Sequence, residues 1–264
     1  MRKTRFARAS LWAIALLIAP LALSGCFGPL RVETRVLYDD FSTAANPWPS
    51  GSSPDQSASW GRVGSGLSGY YHMDVSGRPK TATAGFPVSS LQHFSATAKA
   101  WLEQPATNAS YGLAFGVTGS GGATSNTKFY LFRVDPNAQT WEVRKYDGGW
   151  ASAPIASGGS ASGISPGTAV NELSVSSVLG LADVYVNGNQ LNGRSLGCPA
   201  LGSTSYLAFY IQNEFVPAYV GFDDVAVLGV SFSLKDARTV PCIEPCPIPP
   251  GIGPEAAPMP IPGQ

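Results

Sequence analysis

The segment Tyr111–Val117 alternates large and small side chains without exception. Its odd positions are Tyr, Leu, Phe and Val, and its even positions are Gly or Ala. Because successive side chains of a β-strand point to opposite faces of a sheet, the pattern predicts a strand with one apolar core face and one bare face. A bare face permits close approach by another backbone, a neighbouring sheet or a ligand.

The rest of the chain is divided into similar short segments. Clusters of Gly, Ser, Asn and Pro separate runs rich in aromatic or β-branched residues, a pattern typical of an all-β sandwich or barrel. No apolar period of 3.6 residues persists over three turns, so we expect little helix. The predicted strands are Val36–Phe41, Leu67–Val75, Phe94–Leu102, Tyr111–Val117, Phe129–Val134, Trp141–Tyr146, Leu173–Val178, Val184–Val186, Tyr206–Ile211 and Tyr219–Val227.

Two tight turns are predicted from their glycines. Asn187-Gly188 follows Val184–Val186, and the central residues of a type I′ hairpin turn both need positive φ, which Asn and Gly tolerate. Asp147-Gly148-Gly149 predicts a similar turn between the strand that ends at Tyr146 and Trp150.

The first 25 residues have the composition of an export signal. Four basic residues precede an apolar run from Leu11 to Leu23, which is too short and too Pro-interrupted to span a bilayer. The sequence Leu23-Ser24-Gly25-Cys26 resembles the bacterial lipobox, in which the Cys is lipidated and becomes the mature N-terminus. Residues 1–25 are therefore predicted to be a lipoprotein signal peptide, and 26–34 a lipid-anchored tether. We expect an exported protein that its lipid holds on the outer-facing side of the bacterial envelope.

The C-terminal residues 230–264 form a Pro-rich tail, with nine prolines from position 241 onward. Such a composition predicts an extended or disordered surface segment. If Cys26 carries lipid, Cys198, Cys242 and Cys246 remain, and an oxidising compartment favours one disulfide among them. A Cys242–Cys246 bridge would clip the tail locally, whereas a bridge from Cys198 would attach the tail to the domain. The sequence leaves both open.

The mature chain is slightly acidic. Without the four basic residues of the leader, 13 basic residues remain against 17 acidic ones, a net charge of about −4 with neutral His. A surface that neutralises phosphates needs an excess of Lys and Arg. The composition therefore argues against nucleic acid as a partner.

An ordered set of motifs resembles bacterial concanavalin A-like, laminin-G-like domains. The set comprises VLYDDFS followed by WP, GYYHMDV, YGLAFGV, KFYLFRVD followed by WEVRKYDGGW, NELSVSS, DVYVNG and VGFDDVAV. The resemblance covers residues 35–229 and implies a jelly-roll sandwich of two antiparallel sheets, one of them bent into a concave face. Members of this family often bind carbohydrate, some bind protein and some are glycoside hydrolases, so the resemblance defines the fold better than the function.

The resemblance also implies that the first and last strands are neighbours. Asp39 and Asp40 would then lie near Asp223 and Asp224. Hard cations such as Ca²⁺ are bound by several oxygens, so a structural calcium ion at these four residues is one expectation. The alternative is that they are solvated residues at the ends of edge strands. No other cofactor is predicted.

The sequence carries no recognisable catalytic constellation. The hydrolases of this fold have a Glu-x-Asp-x-Glu-type run on one strand, which is missing here. The two adjacent Asp pairs are expected to point to opposite faces of a sheet. The glutamates stand alone on different segments: Glu103, Glu142, Glu172 and Glu214.

Aromatic and charged residues interleave between Phe129 and Trp150. Sugars present apolar C–H faces and hydroxyl groups, so sites for them combine apolar and aromatic side chains with a few polar ones. On the strand Trp141–Tyr146, alternation places Trp141 toward the core and Glu142, Arg144 and Tyr146 on the opposite face. The candidate ligand contacts are Tyr130, Glu142, Arg144, Tyr146 and Trp150.

These observations favour a non-catalytic envelope lipoprotein that binds a glycan through the concave face of its sandwich. The first alternative is a structural or scaffolding subunit that docks on another envelope protein. The second is a glycoside-processing enzyme, against which the missing acid constellation argues.

Overall fold

The computed structural model describes residues 30–234 except 44–47, 54–55, 65–68, 77–79, 87–90, 92, 119–126, 160–162, 202–205 and 215, with side chains from Leu37 to Gly229, Lys80 excepted. The regular elements in this part of the chain are all β-strands, and no helix in it has the length and apolar character that crossing a membrane requires. The strands are β1 (Leu30–Asp39), β2 (Gly51–Ser52), β3 (Ala58–Val63), β4 (Tyr70–Val75), β5 (Lys80–Gly85), β6 (His93–Leu102), β7 (Ala109–Thr118), β8 (Lys128–Asp135), β9 (Thr140–Asp147), β10 (Ala156–Gly158), β11 (Asn171–Val178), β12 (Leu181–Val186), β13 (Asn189–Gln190), β14 (Leu196–Gly197), β15 (Tyr206–Asn213) and β16 (Ala218–Leu234).

The strands form two antiparallel sheets. The ten-stranded sheet has the order β13-β12-β11-β6-β16-β4-β3-β2, with β1 paired to β16 and β14 paired to β12. The six-stranded sheet has the order β10-β9-β8-β7-β15-β5. This arrangement confirms the predicted all-β sandwich.

The core lies between the two sheets. Tyr111, Leu113 and Phe115 are buried there, as the alternation predicted. Val117, predicted on the same face, packs instead with the outer cluster that includes Phe129 and Tyr210, because the register between β7 and β8 shifts after Phe115. Phe209 of β15 is fully buried and stacks on Phe222 of β16, with 4.1 Å between the ring centroids. Each such ring removes a large apolar area from water, which is the main stabilising contribution to the fold.

The first and last strands are neighbours, as the family resemblance implied. Leu30 pairs with Leu234 and Asp39 with Val225. The paired strands therefore reach into the segments predicted as tether and tail. The lipobox with Cys26, and most of the Pro-rich tail with Cys242 and Cys246, lie outside the described residues.

The two predicted turns have the expected backbone. Asn187 and Gly188 join β12 to β13 with φ values of 51° and 79°. Gly148 has a φ of 68° in the turn that brings Trp150 beside Tyr146 as an isolated β-bridge.

Cys198 is buried and forms no disulfide with another residue that the structure describes. Burial raises the pKa of its thiol to about 12, so it stays protonated at neutral pH and is a poor nucleophile. A disulfide between Cys242 and Cys246, or from Cys198 to one of them, remains a prediction.

Candidate functional site

The six-stranded sheet has an outer face, opposite the core. Its side chains come from the alternate positions that the sequence pattern predicted to point away from the core. Glu142 of β9 lies opposite Arg133 of β8, and Gly112 of β7 lies between Arg133 and Tyr210 of β15. Strands that are far apart in sequence therefore contribute to one continuous row.

Five polar residues on this face form a network, called here the polar network: Ser110, Arg133, Glu142, Arg144 and Gln212. Arg133 Nε donates to Glu142 Oε1 over 2.8 Å, and Arg144 Nη2 donates to Glu142 Oε2 over 3.1 Å. Arg133 Nη1 donates to Gln212 Oε1 and to Ser110 Oγ. Each oxygen of Glu142 is thus paired with a different guanidinium, a strong charge-assisted arrangement.

A glycine makes this network possible. Arg133 must cross β7 to reach Gln212 on β15, and the β7 residue opposite Arg133 is Gly112. A Cβ on Gly112 would overlap the carbonyl oxygen of Phe132 and lie 2.7 Å from Arg133 Cα. The bare face predicted for Tyr111–Val117 is therefore occupied by a guanidinium from the neighbouring strand.

An open groove of about 460 Å³ runs along the polar network. It is bounded on one side by β10 and on the other by the ends of β7 and β15. Three carboxylates reach it, although the sequence placed them on unrelated segments. The charged and amide side chains that line it are Asn108, Arg133, Asp135, Glu142, Gln212 and Glu214.

Four rings form an aromatic cluster next to the polar network: Phe129, Tyr146, Trp150 and Tyr210. Trp150 meets the other three edge-on, at centroid distances of 5.6 Å to Phe129, 5.2 Å to Tyr146 and 6.3 Å to Tyr210. These contacts hold the indole in place while 41% of Trp150 remains exposed. Tyr210 beneath it is buried, and its hydroxyl donates to Gln212 Oε1 over 2.8 Å, which links the cluster to the polar network.

Four of the predicted ligand contacts are brought together on the outer face: Glu142, Arg144, Tyr146 and Trp150. Tyr130 lies elsewhere. It is buried in the core, stacks on Phe115 at 5.5 Å and donates its hydroxyl to Pro199 O over 3.0 Å. Phe129, and not Tyr130, pairs with Tyr146, so Tyr130 is on the core side of the sheet.

The carboxylates of the first Asp pair are occupied by protein donors. Asp39 is buried and accepts hydrogen bonds from Trp48 Nε1 (2.6 Å) and Phe41 N (2.7 Å). Asp40 accepts from the backbone and hydroxyl of Ser42. These bonds anchor the chain as it leaves β1.

The second Asp pair does not point to opposite faces, contrary to the prediction. The register between β16 and β6 shifts between Asp223 and Ala226, and Asp224 has a φ of 47°. This bulge breaks the alternation, so Asp223 lies opposite Lys99 while Asp224 forms an ion pair with it. Burial raises the pKa of Asp223. In the described ranges no group of three or more His, Cys, Asp and Glu is arranged to hold a metal, and a calcium ion at the two Asp pairs stays a prediction.

The outer face of the ten-stranded sheet carries a separate titratable cluster around His72. Its Nδ1 lies 2.7 Å from Glu103 Oε1 and its Nε2 lies 3.2 Å from Asp74 Oδ2. Hydrogen bonding to Glu103 raises the pKa of His72, although burial opposes the rise. Both ring nitrogens can donate only in the imidazolium form, which therefore joins β4 to the end of β6.

We expect this cluster to stabilise the protein at low pH. Because the folded-state pKa of His72 is raised, its contribution is complete below the unfolded value of about 6.5 and is lost as the pH rises through the folded value. His72→Gln is expected to cost about 1 kcal/mol at pH 5.5 and less at pH 8.5, measured by urea unfolding. His93→Gln is the control. Burial lowers the pKa of His93, so the pH dependence of this substitution has the opposite sign: its cost is expected to be larger at pH 8.5 than at pH 5.5. An equal cost of His72→Gln at both pH values would contradict the assignment.

No protein-family model and no curated protein matches this sequence. Solved structures are similar to it in fold. A Bacillus subtilis protein of unknown function with a galectin-like fold is 12% identical over 74% of this chain and 95% of that chain, with a TM-score of 0.51. A GlcNAcα1-4Gal-releasing endo-β-galactosidase from Clostridium perfringens is 11% identical over 75% of this chain, with a TM-score of 0.50, and this chain spans only 62% of it. At such identities the likeness shows the fold alone, and the galectin-like neighbour agrees with the predicted jelly roll.

Proposed function

We propose that this protein is a non-catalytic glycan-binding domain that holds its ligand on the outer face of the six-stranded sheet. One observation carries the proposal: an open polar groove of about 460 Å³ is linked through Gln212 and Tyr210 to Trp150, whose indole is fixed and 41% exposed. The endo-β-galactosidase among the similar structures acts on a glycan, so the fold that the two share is compatible with a glycan ligand.

Binding would combine stacking with hydrogen bonding. The exposed part of the Trp150 indole offers a flat apolar surface to the C–H face of a sugar ring, and little entropy is lost because three rings already fix its orientation. Arg133, Gln212 and Ser110 present donors and acceptors for hydroxyl groups in the groove. Their mutual hydrogen bonds position them before the ligand arrives.

A glycoside hydrolase is the second candidate, because Asp135, Glu142 and Glu214 converge on the groove. Hydrolysis requires one carboxyl group that donates a proton and a second that acts as base or nucleophile. Both oxygens of Glu142 accept from guanidiniums, and Asp135 Oδ1 accepts from the backbone of Asn137 and Ala138. These two carboxylates have structural partners, which favours binding over catalysis.

Removing the indole of Trp150 is expected to weaken glycan binding. A glycan array should identify ligands of the wild type, and calorimetry should show at least about a tenfold loss of affinity for Trp150→Ala. Tyr38→Ala is the control, because Tyr38 is an exposed aromatic residue on β1 of the other sheet. Melting temperatures distinguish lost binding from lost folding. Unchanged affinity of a folded Trp150→Ala variant, or hydrolysis of the bound glycan by the wild type, would refute the proposal.

The lipobox resemblance supports a second part of the proposal, that Cys26 anchors the domain to an envelope membrane. Cys26→Ser is expected to move the full-length protein from the membrane fraction to the soluble fraction of its bacterial host. Fractionation followed by immunoblotting measures this shift. Retention of the variant in the membrane fraction would refute lipid anchoring at this residue.

A further inference from the structure

The two ends of the outer face differ in charge. Arg144 lies opposite Leu131 on β8, and Asp135 follows four residues further along the same strand, roughly 13 Å away at 3.3 Å per residue. Glu214 is further still, beyond the end of β15. At physiological ionic strength exposed charges are largely screened beyond about 8 Å, so each end acts on a ligand separately.

The outer face near Trp150 carries one unbalanced positive charge. Arg133 and Arg144 both pair with Glu142, so two guanidiniums share one carboxylate. Lys128 and Lys145 pair with Asp147 at the same end of the strands, but Lys145 lies opposite Tyr130, so these three residues are on the core side of the sheet. The positive charge that faces a ligand there is therefore that of Arg144.

Arg144 also has donors that the protein does not use. A guanidinium has five N–H groups, and in the described part of the chain Arg144 donates from Nη2 to Glu142 only. Its Nε is hidden from solvent and has no hydrogen-bond partner. Arg133, by contrast, donates to Glu142, Gln212 and Ser110. Because Nε is hidden from solvent, the donors of Arg144 that remain for a ligand are those of Nη1 and the second N–H of Nη2.

The unsatisfied guanidinium lies close to the stacking surface. Arg144 and Tyr146 are two residues apart on the same face of β9, and the rings of Tyr146 and Trp150 are 5.2 Å apart. Two residues of a strand span roughly 7 Å. A single sugar unit can therefore stack on Trp150 and direct a substituent to Arg144.

From this arrangement, and on the basis of the glycan-binding function proposed above, we infer that the ligand is an acidic glycan whose anionic substituent pairs with Arg144 beside Trp150. A carboxylate or a sulfate group has the required chemistry, since both accept the parallel hydrogen bonds of a guanidinium. The acidic end of the groove, at Asp135 and Glu214, would contact an uncharged part of the same glycan.

Matched polymers test the inference with the full chain. Polygalacturonate is compared with its methyl-esterified form, and dextran sulfate with dextran, by calorimetry at low and at physiological salt. At least one acidic polymer is expected to bind at least about tenfold more tightly than its neutral counterpart, and less tightly as salt rises. The pair that shows the difference identifies the substituent as carboxylate or sulfate.

Variants then locate the contact. Arg144→Gln is expected to lose about tenfold in affinity for the acidic polymer, and Arg144→Lys to recover part of it, because it restores the charge without the planar fork. Arg194→Gln is the matched control, an exposed arginine in the loop after β13. Equal binding of acidic and neutral polymers, or an unaffected Arg144→Gln variant, overturns the inference and leaves the proposed function standing. Failure of the wild type to bind any glycan of a broad array overturns both.

Discussion

Replacement of Gly112 by alanine is expected to lower the free energy of unfolding by about 3 kcal/mol. The added Cβ would overlap the carbonyl oxygen of Phe132 and approach Arg133 Cα to 2.7 Å. Both contacts are with backbone in the middle of the six-stranded sheet, so no side chain can rotate to relieve them. The β7–β8 pairing must shift, and with it the path of Arg133 to Gln212.

Gly85→Ala is the matched control for this prediction. Gly85 pairs with Ala208 on the same sheet, and nothing lies within 4 Å of a Cβ built on it. Its effect is expected to stay within about 0.5 kcal/mol. Urea unfolding followed by tryptophan fluorescence measures both variants. Similar midpoints for the two would show that the close approach of β8 at Gly112 is not required for stability.

Truncation of Phe209 to alanine is expected to cost about 4 kcal/mol, within the range for buried aromatic residues. The ring is fully buried and stacks on Phe222 and on Trp48, at 4.1 Å and 5.2 Å between centroids. Phe86 and Tyr71 complete its surroundings, at 4.6 Å and 5.4 Å. Because rings from both sheets meet there, the cavity cannot be filled without moving one sheet toward the other.

Tyr206→Ala tests whether the stability lost in Phe209→Ala comes from the loss of core packing or from any truncation of an aromatic residue on this strand. Tyr206 lies on the same strand as Phe209 but is 41% exposed, so we expect a loss below about 1 kcal/mol. Thermal unfolding by circular dichroism compares the two variants. A Phe209→Ala protein as stable as Tyr206→Ala would contradict the description of the core.

Sequence pattern found the strands that carry large alternating side chains, such as Tyr111–Val117 and Trp141–Tyr146. It missed Ala58–Val63 and Lys80–Gly85, the latter made of Lys, Thr, Ala and Gly. Small side chains give little intrinsic strand preference, so Lys80–Gly85 is a strand because it pairs with β15. Partners more than 100 residues away cannot be identified from a local pattern.

The same limit applies to the candidate site. Glu142, Arg144 and Tyr146 share one strand, so alternation placed them on one face correctly. Gln212 reaches the polar network only because β15 pairs with β7. The sequence alone groups Tyr130 with these residues, because it is an aromatic residue nearby in the chain. A single residue of register decides whether it or Phe129 faces outward.

The ladder between β1 and β16 has a mechanical consequence. Its strands are antiparallel, so Leu30 and Leu234 lie side by side at one end of ten consecutive residue pairs. Tension applied between these two residues would act first on the hydrogen bonds nearest to them. The pairs further along the ladder carry load only after the preceding pairs have broken, so β1 would separate from β16 one pair at a time. Force between the two ends would thus open the domain at this seam while the rings around Phe209 are still packed.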